Sequence, residues 1–244
     1  MRYAILADIH SNLAALTAVL NDIQAKGGVD EVWCLGDIVG YGPQPKESLK
    51  AVRECTQVCV SGNHDLGAAG KIDLGLFNPI AAEACRWTAS QLSAAELLYL
   101  EELPKIIKKG EYFLVHGSPR DPAMEYILSP ETARRNFGAY DTKYCFVGHT
   151  HVPAAYKEEA VEAVSPVSLK PGIGLVTMGH RMIINPGAVG QPRDGDPRAS
   201  YGIYDTEGQM FRLYRVDYDI HATQDKMMEA GLPVPLVARL GEGR

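Results

Sequence analysis

Tyr3-Ala4-Ile5-Leu6-Ala7-Asp8-Ile9-His10 is a short apolar run that stops at a carboxylate and an imidazole two residues apart. Short apolar runs rich in β-branched and aromatic side chains read as buried strands. The pattern returns four times. Val32-Trp33-Cys34-Leu35 runs into Gly36-Asp37, and Val58-Cys59-Val60 into Gly62-Asn63-His64-Asp65. Tyr112-Phe113-Leu114-Val115 runs into His116, and Tyr144-Cys145-Phe146-Val147 into Gly148-His149-Thr150-His151. Each strand thus ends on residue types that ligate metals, and open α/β sheets gather their sites outside the carboxyl ends of strands. In an extended chain, side chains two apart point to the same side. On that spacing Asp8 and His10 are expected to reach one ion together, as are His149 and His151.

The donor set is carboxylate, imidazole and carboxamide, without thiolate. It suits a pair of hard-to-borderline divalent cations better than a structural zinc, which would usually show cysteines. Two metals about 3.5–4 Å apart clamp a phosphate ester, activate water and steady the oxygens of an in-line displacement. Several neutral imidazoles disfavour magnesium, so manganese, iron (Fe2+/Fe3+) or zinc is expected. His180 and His221 have no such company. His180, beside Gly179 and between two apolar runs, reads as part of a hairpin turn, and His221 as a residue of a polar C-terminal helix.

The ordered set Asp-x-His, Gly-Asp, Gly-Asn-His-Asp, a lone His and Gly-His-x-His resembles the calcineurin-like metallophosphoesterase superfamily. The resemblance covers residues 3 to about 190. It is strongest to the small prokaryotic branch that carries Gly36-Asp-Ile-Val-Gly-Tyr-Gly-Pro43 and Asn185-Pro-Gly-Ala-Val-Gly-Gln-Pro-Arg-Asp194. It implies a four-layer α/β/β/α sandwich of two mixed sheets flanked by helices, with a binuclear metal site. It also implies that Asp8, His10 and His151 hold one metal, that Asn63, His116 and His149 hold the other, and that Asp37 bridges. By the same resemblance His64 protonates the leaving alkoxide or steadies the phosphoryl oxygens, and Asp65 fixes its tautomer and orientation. Gly40-Tyr41-Gly42 stands where the protein-phosphatase branch has Asp-Arg-Gly, so protein phosphatase activity is not expected.

Around the motifs, Ser11 can cap a helix over residues 12–26, and Pro45 can open another that ends near Cys55. Residues 66–104 are the least strand-like part. Pro79 can start a helix to about Gln91, and Ser93 with Glu96 reads as a capping box. Strands are predicted at about 105–109, 111–116, 144–148, 153–157, 173–178, 181–185, 201–206 and 209–216. A last helix covers about 219–230, and Pro233 and Pro235 are expected to loosen the tail. With 244 residues, 46% of them hydrophobic, and no convincing linker, residues 1–244 read as one metallophosphoesterase domain.

A net charge of −6 argues against a nucleic-acid-binding face, so no nucleic acid partner is expected. Five cysteines without metal spacing read as reduced core thiols. Met1 leads into the first strand with no signal peptide, and no apolar stretch is long enough for a bilayer, so a cytoplasmic protein without a membrane partner is expected. The expected partner is a small phosphorylated or nucleotide-like substrate. The metals do not separate monoesters from diesters or phosphoanhydrides, so Asn12, Tyr41, Ser118 and Arg193 are the residues expected to discriminate. Arg193 has the planar fork that suits phosphate, against the alternative of an ion pair with Asp194 or Asp196. Tyr41 either stacks on a base or aryl group or covers the core. The alternatives are a diadenosine-polyphosphate hydrolase, a non-catalytic scaffold and a nuclease. A scaffold would have lost ligands, and a nuclease would want a basic groove.

Overall fold

The five apolar runs become strands in the computed structural model, which describes residues 1–160 and 163–244. β1 (Arg2–Leu6), β2 (Glu31–Cys34) and β3 (Val58–Cys59) pair in parallel, with Leu6 opposite Cys34 and Cys34 opposite Cys59. The hairpin β11 (Ala199–Asp205) and β12 (Met210–Val216) then joins the free edge of β1 antiparallel, and β9 (Gly174–Val176) follows β12. The second sheet runs β4 (Ile106–Lys109), β5 (Tyr112–Val115), β6 (Tyr144–Phe146), β10 (Met182–Asn185), β7 (Ala154–Ala160), β8 (Ala163–Val167). Here β5, β6 and β10 are mutually parallel and the rest antiparallel. Both sheets are therefore mixed, as the resemblance implies.

Alternation along each strand sorts the side chains into layers. Tyr3 and Ile5 of β1 join Trp33, Tyr144, Phe146 and Tyr204 in the core between the sheets. Ala4 and Leu6 point the other way, against Leu16, Val19 and Ile23 of α1 (Leu13–Ala25). The outer face of the second sheet buries Phe113, Cys145 and Ile183 under Ala133 and Phe137 of α6 (Pro130–Phe137). Helix, sheet, sheet and helix are stacked in that order, and among the described residues no helix is long and apolar enough to cross a membrane.

The caps repay inspection. α2 (Pro45–Cys55) and α4 (Pro79–Gln91) start on their prolines, and α5 (Ala94–Glu102) starts on the Ser93–Glu96 capping box. α1 is capped by Asn12, whose Oδ1 accepts from Ala15 N at 3.1 Å, not by Ser11. The tail is ordered as well. After α7 (Ile220–Glu229), Pro235 sits in the first turn of α8 (Val234–Glu242), where a missing N–H costs nothing, so these prolines start a helix instead of loosening the chain. The predicted hairpin around His180 is also absent. Gly179 does turn at φ +80°, but β9 and β10 belong to different sheets, so the turn crosses between them. His221 is exposed on α7.

Candidate metal centre

All seven expected ligands come together at the ends of β1, β2, β3, β5 and β6, but not by strand alternation. β1 stops at Leu6 and β6 at Phe146. Beyond them the backbone enters left-handed turns. Among the described residues eight non-glycines have positive φ, and seven of these are Asp8, His10, Ser11, Asp37, Tyr41, His149 and His151. Such conformations cost about 1–3 kcal/mol each and persist only where the surroundings hold them. Here the loops hold one another: Asp8 N donates to Gly36 O at 3.1 Å, His10 N to Asp37 O at 2.9 Å, and Gly148 N to His116 O at 2.8 Å. Gly62 admits this closeness, because a Cβ there would collide with the Asp37 carboxylate.

Asp8, His10, Asp37 and His151 form one cluster whose ligand atoms lie within 4.8 Å of one another, and Asp37, His116 and His149 form a second. Asp37 belongs to both through a single oxygen. Its Oδ2 lies 3.5 Å from His10 Nε2 and 3.3 Å from His116 Nε2, yet has no hydrogen-bond partner. Its Oδ1 accepts from His64 N at 2.8 Å. Asn63 completes the second cluster, with Oδ1 3.1 Å from His116 Nε2.

The imidazoles are aimed by their other nitrogens. His10 Nδ1 meets Val39 O at 3.1 Å, His116 Nδ1 meets Leu35 O at 2.8 Å, and His151 Nδ1 meets Gln191 O at 2.6 Å. His149 is reversed, with Nε2 against Met124 O at 3.2 Å and Nδ1 turned inward. A carbonyl accepts only from N–H, so these contacts put the inward lone pairs on Nε2 of three rings and Nδ1 of the fourth. The inward nitrogens then face one another, at 3.0 Å for His10 and His151 and 3.1 Å for His116 and His149. Two lone pairs so close repel unless a cation or proton sits between them. Convergent lone pairs, an orphaned buried carboxylate oxygen and a nitrogen–oxygen donor set fit divalent transition metals.

Burial lowers His10 and His151 well below the ordinary histidine value, His149 to about 3 and His64 to about 4. Burial also opposes charge on His116, but Asp37 and Asp8 outweigh it and hold that ring up at about 10, so that without a cation in the cluster a proton takes the place of one on its inward Nε2. Asp37 resists burial in turn, because His116, His64 and His10 keep it well below the carboxylate range. Burial, reinforced by Asp37, pushes Asp8 up to about 7. The carboxylates create a field that calls for positive charge.

His64 stands beside the clusters on α3 (Asn63–Ala68). Its ring lies 4.3 Å from Tyr41, 4.9 Å from His10 and 5.0 Å from Phe77 between centroids. Its Nδ1 has no partner. The expected Asp65–His64 contact is not made. Asp65 accepts instead from Val39 N at 3.1 Å and Gly62 N at 3.0 Å, tying two ligand loops together, so it acts on His64 only through the backbone.

The residues expected to read substrate divide. Asn12 is used up in structure: it caps α1 and donates from Nδ2 to Gly190 O at 2.9 Å. Ser118 is turned away, donating to Glu125 at 2.5 Å. Tyr41 is buried, wedged against His10 and His64, and offers no open face for a base. Arg193 faces the centre. Asp194 pairs with Arg215 and Asp196 with Arg198, so neither takes it. Its N–H donates to His151 O at 3.2 Å, its guanidinium lies 5.6 Å from the Tyr41 centroid, and its charge acts on Asp8, His10, His64 and His151.

Two residues escaped sequence reasoning. Asn185 donates to Gly148 O at 2.6 Å and Thr150 Oγ1 at 2.9 Å, clamping the turn that carries His149 and His151; its place in the Asn-Pro-Gly motif is the signal. Tyr126 stacks on His149 at 3.8 Å with 46% of its surface exposed, from a loop that carries no motif.

Comparison with known proteins bears on the family and the fold. The family model described as the calcineurin-like phosphoesterase superfamily domain matches residues 1–209. An uncharacterized protein of Methanocaldococcus jannaschii is 40% identical over 99% of this chain and 98% of its own length. The crystal structure of a metallophosphoesterase from Sphaerobacter thermophilus superposes with a TM-score of 0.91 at 50% identity, covering 100% of this chain and 99% of that one. A symmetrical bis(5'-nucleosyl)-tetraphosphatase of Neisseria meningitidis is 30% identical, over only 48% of this chain and 43% of its own length.

Proposed function

The chain belongs to the calcineurin-like phosphoesterase superfamily and is a phosphoester hydrolase, and from that we propose a binuclear mechanism on a small phosphorylated or nucleotide-like substrate. One metal is held by Asp8, His10, Asp37 and His151, the other by Asp37, Asn63, His116 and His149. The observation that carries this reading is the Asp37 Oδ2 atom, buried, unpartnered and shared between both clusters. Manganese, iron or zinc suits the donors. When bound, such ions supply Lewis acidity and a water of lowered pKa.

The chain's own residues do the remainder. His64 is placed to hold a hydrogen bond to a phosphoryl oxygen at the open side of its ring, or to hand a proton to the leaving oxygen once the negative charge of a bound phosphate raises it from the low value that burial gives it. Asp65 keeps the start of α3 against the Val39 loop and so keeps His64 in place. Arg193 binds a phosphoryl oxygen with its fork, contributing about 1.5–3 kcal/mol as a charged hydrogen bond. Tyr41 excludes water from behind His10 and His64. Five free thiols, four of them buried, suit a reducing compartment such as the cytoplasm.

A second reading, hydrolysis of dinucleoside polyphosphates, has support in the name of the Neisseria relative. The scaffold reading is weak here, because every ligand of the expected set is present. A metal-reconstituted panel of aryl monoesters, diesters, cyclic nucleotides and dinucleoside polyphosphates tests the proposal. Turnover of at least one class, abolished by a chelator and restored by manganese, is expected. A metal-loaded protein inert toward all four classes would overturn it.

A further inference from the structure

The loop that follows His116 lays an aromatic ring over one of the expected ligands. Tyr126 stacks on His149 with ring centroids 3.8 Å apart and planes 15° from parallel. The imidazole beneath it turns Nδ1 towards His116 Nε2 and Nε2 towards Met124 O. The phenol ring therefore lies one van der Waals layer from the inward donors of the second cluster. One of its faces is taken by His149, yet the residue is still 46% exposed.

This exposure is not the looseness of a surface loop. Met124 O is held by His149, and Ile127, the residue after the tyrosine, is buried. Between them Glu125 accepts from Ser118 Oγ at 2.5 Å and from Asn136 Nδ2 of α6 at 2.8 Å. With both neighbours pinned, Tyr126 is held with one face on imidazole and its remaining surface towards solvent. A ring already fixed in this way has little conformational freedom left to lose when a second ring settles on it, so stacking there keeps most of its favourable energy. Tyr41, buried against His10 and His64, has no such face.

We propose that Tyr126 is a specificity-determining residue, the platform on which a nucleobase of the substrate stacks while its phosphate sits on the metal centre. The layers then run His149 imidazole, Tyr126 phenol, base. The substrate class narrows to nucleotides and their esters, and two parts of the chain read them: the strand-end loops take the phosphate, and the loop at 117–129 takes the base. Stacking accepts any base, because every base has a π-face, so the platform selects for a base and not for one base over another. The assignment rests on the hydrolase reading above for the position of the phosphate.

Calorimetric titration of the metal-loaded protein with AMP and with ribose 5-phosphate tests this, because the two share sugar and phosphate and differ in the base. Wild type should bind AMP about 5- to 150-fold more tightly, the worth of one base stacked on an aromatic side chain. Tyr126→Leu should remove that preference by weakening AMP, with ribose 5-phosphate changed less than about twofold and metal content intact by elemental analysis. Tyr126→Met takes its place if the leucine variant does not fold. Tyr126→Phe keeps the ring and should keep most of the preference. No preference in wild type, a preference that survives in Tyr126→Leu, or an equal loss in Tyr126→Phe and Tyr126→Leu would overturn the platform. Equal weakening of both ligands in Tyr126→Leu would overturn it too, and would leave Tyr126 as a support for His149. Turnover of the ester panel by wild type reports on the hydrolase reading separately. Turnover without a Tyr126-dependent base preference sinks the platform alone, and the preference without turnover sinks the hydrolase alone.

Discussion

Trp33 and Asp37 are four residues apart in sequence and obey opposite rules. Trp33 is fully buried, stacked on Tyr3 at 4.2 Å and edge-on to Tyr112 at 5.1 Å, and its Nε1 donates to Glu31 at 2.8 Å. Asp37 is equally buried, but its backbone stands at φ +52° and its Oδ2 has no partner. Within one loop the chain passes from a region where every group is satisfied to one where lone pairs face lone pairs. The difference teaches a division of labour. The aromatic core between the sheets supplies the stability, and the strand ends carry the unfavourable backbone and charge that a cation-binding site requires.

The largest effect expected from breaking this comparison comes from Asp37→Asn. The substitution removes the one charge shared by both clusters while keeping the side chain's shape. Loss of an outer partner of a metal site typically costs about 10–100-fold in affinity. Loss of the shared carboxylate should exceed that, with both metals depleted by elemental analysis and turnover below detection. Retention of two metals per chain would show that Asp37 is not the bridge.

His64→Gln should cut turnover by about 10²–10⁴-fold, the usual worth of a general acid, and leave metal content intact. The loss should shrink for a nitrophenolate leaving group, which needs little protonation. Equal losses for good and poor leaving groups would assign His64 to phosphoryl oxygen instead.

Trp33→Ala sharpens the comparison from the other side. Emptying a buried tryptophan site costs about 3–5 kcal/mol. Thermal unfolding should shift down accordingly, while the protein that remains folded keeps its full metal content. Lost metal at unchanged stability would mean that the core and the ligand loops are not separable.

What could be read in the sequence follows the same division. Strand ends were legible because apolar runs and ligand-type residues announce themselves locally, so the two sheets and the seven clustered residues are where they were expected. The route to the cluster was not legible: alternation was invoked for Asp8 and His10, whereas both sit in left-handed turns fixed by distant backbone, Gly36 and Asp37. Long-range commitments were invisible as well. Nothing local says that Asp65 binds Val39 N or that Asn12 is used by Gly190. α6 and β8 were missed because one is short and polar and the other contains Pro166, both weak periodic signals.

The smallest expected effect isolates the backbone cost itself. His151 holds φ +59°. Replacing it by Ala or by Gly removes the same imidazole, so both variants lose the same donor and should lose metal alike. They differ in backbone. Alanine keeps a Cβ that disfavours the left-handed region by about 1–2 kcal/mol, whereas glycine adopts it freely. Glycine also loses more entropy on folding, but by only about 0.5–1 kcal/mol, so the backbone conformation decides the sign. With chelator present to remove metal binding from the balance, His151→Gly should therefore be more stable than His151→Ala by about 1 kcal/mol in urea unfolding. The reverse order would mean that residue 151 relaxes out of the left-handed region once the imidazole is gone. In that case the ligand itself, and not its neighbours, holds the turn.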